Sequence, residues 1–124
     1  MPQAAPVSDT VQRRAALDRG HAAEDRVART LQTDGWQVLD RNWRNGAGEL
    51  DLVVTRGGVL RFVEVKHRTE DDDRVPVSPG QVRRLRSTAR LWMQQQASEW
   101  WSEACFWLVV TRPGQPDDWT LDPF

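Results

Sequence analysis

Three side chains within sixteen residues, Asp51, Glu64 and Lys66, are of the types that hydrolytic chemistry uses. They lie in a stretch, residues 48–68, that reads Gly-Glu-Leu-Asp-Leu-Val-Val-Thr-Arg-Gly-Gly-Val-Leu-Arg-Phe-Val-Glu-Val-Lys-His-Arg, two apolar runs joined by a glycine pair. Of 17 basic residues in the chain, Lys66 is the only lysine. Arginine stays protonated, whereas a partly buried lysine shifts its pKa readily. A lone lysine two residues after a glutamate therefore points to a chemical use, although drift at a surface position gives the same count.

Strand alternation puts Phe62, Glu64 and Lys66 on one face of the second run, and Glu49, Asp51 and Val53 on one face of the first. A two-residue turn at Gly57-Gly58 then sets Asp51 across from Glu64 and Glu49 across from Lys66. Directly opposed residues have Cβ atoms about 5 Å apart, and like charges there are destabilising. A divalent cation resolves that conflict, since magnesium takes carboxylate oxygens and keeps several waters. Lys66 would stand beside it to orient or deprotonate a water. The competing reading is a plain Glu49–Lys66 ion pair with Asp51 and Glu64 solvated. The apolar residues flanking both runs suggest burial on both sides and favour the site.

The surrounding elements must hold this hairpin. Leu17, Gly20, Ala23, Val27 and Leu31 form a helical stripe that stops at Asp34-Gly35. A first strand spans Trp36 to Trp43 and ends at Asn45-Gly46, followed by strands at 49–54 and 59–67. An acidic loop covers Glu70 to Pro76. Ser78-Pro79-Gly80-Gln81 reads as a capping box with proline at the first helical position, and Val82, Leu85, Ala89 and Trp92 supply the apolar stripe of that second helix. Residues 105–111 make another strand, and Trp119 to Leu121 a short last one. The order is α-β-β-β-α-β with one further β. Residues 1–10 read as a flexible lead-in and 11–124 as a single domain.

Composition narrows the class. Apolar residues at 39% and charged residues at 28% fit a soluble globular chain. No apolar run approaches the ~20 residues of a membrane span, and the N-terminus has no secretory pattern, so the cytoplasm is the expected location. The single cysteine, Cys105, excludes an internal disulfide and a cysteine-rich zinc site. A net charge of −1 does not itself suggest nucleic acid, but the basic residues cluster at 13–14, 41–44 and 83–90. Cys105 itself reads as a buried apolar residue.

Asp51 followed by Glu64-Val65-Lys66 resembles the D…ExK core of the PD-(D/E)xK nuclease superfamily. More closely, the chain is similar to the bacterial YraN family of endonuclease-like proteins. The resemblance rests on Gly20-x-x-x-Glu24-x-x-x-Ala28-x-x-Leu31, Arg41-Asn42-Trp43-Arg44, Gly48-Glu49-Leu50-Asp51-Leu52, Phe62-Val63-Glu64-Val65-Lys66-x-Arg68 and Ala89-x-Leu91-Trp92. It implies a restriction-endonuclease-like α/β fold, with a mixed sheet flanked by helices, and kinship with archaeal Holliday-junction resolvases. It further implies magnesium or manganese held by Glu24, Asp51 and Glu64, with Asp51, Glu64 and Lys66 as the catalytic set. The expected partner is branched or otherwise structured DNA, and since related resolvases act as dimers, a homodimer is an option. Two positions depart from the family pattern. Leu108 stands where many members have an acid, and Gln81 where many have a lysine.

Glu49 is a supporting residue in this scheme. Arg68 and the second-helix arginines Arg83, Arg86 and Arg90 are candidate phosphate contacts, the alternative being an ordinary solvated face. His21 and His67 read as structural or surface residues. Trp36 and Trp92 fit the core, while Trp100, Trp101, Trp107 and Trp119 fit either core or an aromatic interface. Three functions are consistent with these features: a magnesium-dependent DNA endonuclease, a non-catalytic nucleic-acid-binding or adaptor module on the same fold, and a structural domain with ion pairs only.

Overall fold

A computed structural model describes residues 9–69, 71–72 and 76–124, and within the first helix the side chains of Arg14 and of Arg19 onward. The elements run α1 (Asp9–Thr33), β1 (Gln37–Asn45), β2 (Gly48–Arg56), β3 (Val59–His67), α2 (Pro79–Gln94), β4 (Glu103–Thr111) and β5 (Asp118–Leu121). This is the expected order. Helix α1 starts two residues inside the stretch read as a lead-in; the rest of that stretch, and most of the acidic loop, lie outside the described residues. No described helix is long and apolar enough to cross a membrane.

The five strands form one mixed sheet in the order β1-β2-β3-β4-β5. Only β3 and β4 are parallel, as a strand–helix–strand crossover through α2 requires. The β2–β3 turn has Gly57 at φ 57° and Gly58 at φ 78°, the two positive angles of a type I′ hairpin. It sets the expected register, with Arg56 opposite Val59 and Leu52 opposite Val63.

Helix α1 packs Ala23, Val27 and Leu31 against Leu52, Val54, Val63, Val65 and Val109 on one face of the sheet. Helix α2 packs Leu85, Ala89 and Trp92 against Leu50, Val53, Phe62 and Leu108 on the other. Ser78 caps α2 as expected: its hydroxyl accepts from the Gln81 N–H at 3.2 Å, and the Gln81 amide accepts from the Ser78 N–H at 3.0 Å. Trp36 and Trp92 are core residues, and Trp107 and Trp119 pack on the α1 side. Trp101 packs on the α2 side, and Trp100 is 42% exposed. Cys105 is half-buried rather than fully buried, because its strand lies close to the β5 edge of the sheet.

Strict alternation fails at one place. Leu50 joins the α2-side core together with Val53, while Leu52 and Val54 join the α1 side. Across from Leu50 and Asp51, β1 carries Trp43 and Asn42, and Asn42 adopts φ 50°; the β1 bulge between Val38 and Asp40 lies further along, opposite Val53 and Val54. Glu49 and Asp51 nonetheless line one cavity, as their expected shared face implies.

Gly48 lets the start of β2 approach α2. Its φ is +156°, and a Cβ there would stand 3.0 Å from Thr88 Oγ1. Thr88 is fully buried, and its hydroxyl is committed to the Arg84 carbonyl at 2.7 Å, so it has little room to yield. Gly48→Ala is expected to cost about 1–3 kcal/mol, read as a lower urea midpoint at unchanged slope. An unchanged midpoint would show that β2 and α2 separate freely here.

Candidate functional site

The site exists because the sheet forks. Strand β1 stays paired with β2 down to Asn45–Gly48, and β3 stays paired with β4 up to His67–Thr111. Between β2 and β3, however, the ladder ends at Leu52–Val63. The next main-chain donor on β3, the Val65 N–H, goes to the Asp51 carboxylate instead, at 2.8 Å. A side chain thus takes the role of a strand partner. The gap is a cleft of about 240 Å³, lined by Gly48, Glu49, Asp51, Glu64 and Lys66 from the strands and by Gln81, Arg84 and Leu85 from α2.

Asp51 and Glu64 line that cleft together, close enough for the Asp51 charge to act on the Glu64 carboxyl. Glu64 is 7% exposed. Burial, then the Asp51 charge, pushes its pKa well above the usual carboxylate range, with Lys66 pulling the other way. Lys66 Nζ lies 3.3 Å from Glu64 Oε1. Leu108, the direct β4 neighbour of Glu64, is buried and adds to the dry wall.

Glu49 does not pair with Lys66. Since the ladder stops before it, Glu49 turns to Arg44 on β1, at 3.5 Å, while keeping a place at the cleft. With its amide oriented to suit its neighbours, Asn42 donates to Glu49 Oε1 at 3.2 Å and to Glu24 Oε2 at 3.1 Å. The ladder pairs on either side, Arg41–Leu52 and Trp43–Leu50, put Asn42 opposite Asp51. Its positive φ, sparsely populated for residues other than glycine, costs of order 1–3 kcal/mol, and the two carboxylate bonds offset it. Asn42 was not singled out as a site residue from the sequence; an asparagine within a strand was the one available signal, since asparagine tolerates this conformation.

Glu24, from α1, is 9% exposed, and burial followed by the Asp51 charge push its pKa up to about 7, with His21 opposing. It does not line the cleft. Among the described residues, no three His, Cys, Asp or Glu side chains gather as a metal-binding group. Asp51 and Glu64 are brought together; Glu24 stands behind them, coupled through charge and through Asn42.

The candidate phosphate contacts scatter. Arg68 donates to the His67 and Pro76 carbonyls at 3.1 and 3.2 Å and pairs with Asp72 at 3.8 Å, so it holds the loop after β3 rather than presenting itself to a ligand. Arg86 and Arg90 border another cavity, beside Cys105 and Phe124. Arg83 is exposed outside the cleft, and the α2 arginine that reaches the cleft is Arg84. No sequence signal marks it, because the side of α2 that meets Gly48 is set by packing.

Comparison with known proteins places the chain. Residues 23–111 match the model of Uncharacterised protein family UPF0102. A UPF0102 protein of Brucella canis is 34% identical over 102 residues, covering 82% of this chain and 81% of the relative. One from Mycolicibacterium vanbaalenii is 42% identical over 84 residues, covering 65% and 69%. The chain belongs to the UPF0102 family.

The raised pKa of Glu24 carries a stability signature. Its folded pKa of about 7 exceeds the ordinary 4.5, so the folded state holds the proton more tightly than the unfolded state. The resulting stabilisation is complete below about pH 4.5 and is lost as pH rises through about 7. Glu24→Gln mimics the protonated form without titrating. Its melting temperature is expected to gain on the wild type as pH rises over that range, by roughly 10 °C, the response of such a domain to the ~3 kcal/mol that a displacement from 4.5 to about 7 carries. A difference that stays flat or shrinks with pH would contradict the assignment.

Proposed function

We propose that this UPF0102 protein is a metal-dependent phosphodiesterase acting on DNA, an endonuclease of the PD-(D/E)xK type whose substrates are branched or otherwise structured. The observation that carries this reading is the placement of Asp51 and Glu64 in one cleft at an open fork in the sheet, with the Lys66 amine 3.3 Å from Glu64. Two carboxyl groups facing one cleft, one of them buried, favour a shared proton or a shared cation. Hard carboxylate oxygens of this kind suit magnesium or manganese.

Asp51 and Glu64 are the residues that would hold the cation. Glu24 is the outer carboxylate, kept in place by Asn42. When bound, such a cation neutralises phosphate charge and acidifies a water. The remaining tasks belong to the chain. The Val65 N–H fixes the orientation of Asp51. Lys66 offers N–H donors to the oxygen on which negative charge grows. Arg84, planar and always charged, draws a phosphodiester into the cleft from the α2 side. Leu85 gives the cleft an apolar wall, with Leu108 buried behind Glu64, which strengthens each of these interactions. A cleft of about 240 Å³ suits one phosphodiester and its flanking sugars. The same reading proposes a cytoplasmic location, where a bacterial DNA substrate is met.

A second reading, a nucleic-acid-binding module without catalysis, is favoured by the lack of a ready three-ligand group among the described residues. One experiment separates them. Purified protein is incubated with labelled four-way-junction, single-stranded and duplex DNA, with magnesium or manganese and with EDTA. Cleavage is expected only with the metals, and Lys66→Ala and Asp51→Asn are each expected to lower its rate about 10²–10⁴-fold while DNA binding persists. Binding without cleavage under every condition would establish the second reading.

A further inference from the structure

On the other face of the sheet, α1 and the segment after β4 enclose a second and larger cavity of about 630 Å³. Four arginines line it, Arg19, Arg26, Arg29 and Arg112, together with His67, and among the described residues no carboxylate does. On a chain with net charge −1 this is a strong local excess of positive charge. Arg26 is spoken for: it makes a two-pronged ion pair with Asp117 (one bond is 2.9 Å), which ties α1 to the segment leading into β5 and closes one wall. Arg112 donates to the Asp72 carbonyl at 3.1 Å, and His67 Nδ1 lies 2.8 Å from Thr111 Oγ1, so both are held in place. Arg19 and Arg29 are exposed and have no ion-pair partner among the described residues, and Asp25, the nearest acid to Arg29 on α1, is taken by Arg41.

Like charges gathered around a concavity repel unless an anion enters it. The shape of that anion follows from the helix. Arg19, Arg26 and Arg29 form one stripe, and ten residues at 1.5 Å per residue span about 15 Å. A single phosphate reaches one end of such a stripe, whereas a run of backbone phosphates matches its length. We propose that this groove binds the sugar-phosphate backbone of a nucleic acid, independently of sequence and at a distance from the Asp51–Glu64 cleft. The proposal goes beyond the cleavage reading and does not depend on it, since a protein without nuclease activity could use the groove as readily.

The test measures binding alone. A fluorescein-labelled DNA duplex is titrated with wild type, Arg19→Ala/Arg29→Ala, Arg19→Glu/Arg29→Glu and, as a surface control away from both the cleft and the groove, Ser98→Ala in EDTA across a salt series. Circular dichroism and melting temperature report that each variant is folded, and both arginines are exposed. Each lost phosphate contact lowers the salt slope of log K by about 1. The double alanine variant is therefore expected to lose about 2 from the slope and about tenfold in affinity at moderate salt, the double glutamate variant more, and Ser98→Ala neither. An unchanged affinity and slope in the double glutamate variant would overturn the proposal, whether or not wild type cleaves DNA. Dependence on these arginines for binding inorganic phosphate or phosphatidylserine vesicles, without dependence for DNA, would overturn it as well.

Discussion

The hydrogen bond from the Val65 N–H to the Asp51 carboxylate is the contact on which the rest of the site depends. Strands that part inside a sheet leave main-chain donors and acceptors without partners, and each buried one costs roughly what a lost hydrogen bond costs. By accepting the Val65 N–H, Asp51 removes one of those penalties where β2 and β3 diverge. Its other contacts then fall in the opening, beside Glu64. Had the ladder continued, Glu49 and Lys66 would have been opposed in a flat, closed sheet and the cleft would not exist.

Holding the fork open brings a concentration of carboxyl groups with it. Glu24, Glu49, Asp51 and Glu64 lie close together, and the described cations among them are few: Lys66 reaches Glu64 and Arg44 reaches Glu49. The balance is made up by protons, as the upward displacement of Glu64 and Glu24 shows. Leu108 bears on this directly. As the β4 neighbour of Glu64 it supplies apolar surface where a further acid would have added another charge, and so favours the protonated form through desolvation alone.

Much of the fold was legible because it is written in local chemistry. The Gly57-Gly58 turn determines the β2–β3 register, Ser78 and Gln81 mark the start of α2, and the Val27–Leu31 and Leu85–Trp92 stripes name the faces that are buried. The meeting of Asp51 and Glu64 follows from that register. What could not be read depends on partners distant in sequence. Where the ladder stops is set by competition between β1 and β4 for the outer edges of β2 and β3, and no residue near 51 announces it. The αL turn at Asn42, which couples Glu24 to Glu49, is a tertiary accommodation. Arg68 looks like a free cation in sequence, but the loop it precedes folds back on it. A helical stripe count selected Arg83, Arg86 and Arg90, whereas Arg84, beside them, enters the cleft because Gly48 lets β2 come close to that side of α2.

The central claim is that Asp51 and Glu64 share a proton whose place a divalent cation takes. It is tested most directly by calorimetric titration of Mn²⁺ into the protein at pH 6, in two buffers of different ionisation enthalpy. The account predicts binding whose apparent enthalpy depends on the buffer, reporting proton release, and loss of both binding and release in Asp51→Asn. Absence of Mn²⁺ binding, or binding that releases no proton and survives Asp51→Asn, would contradict it.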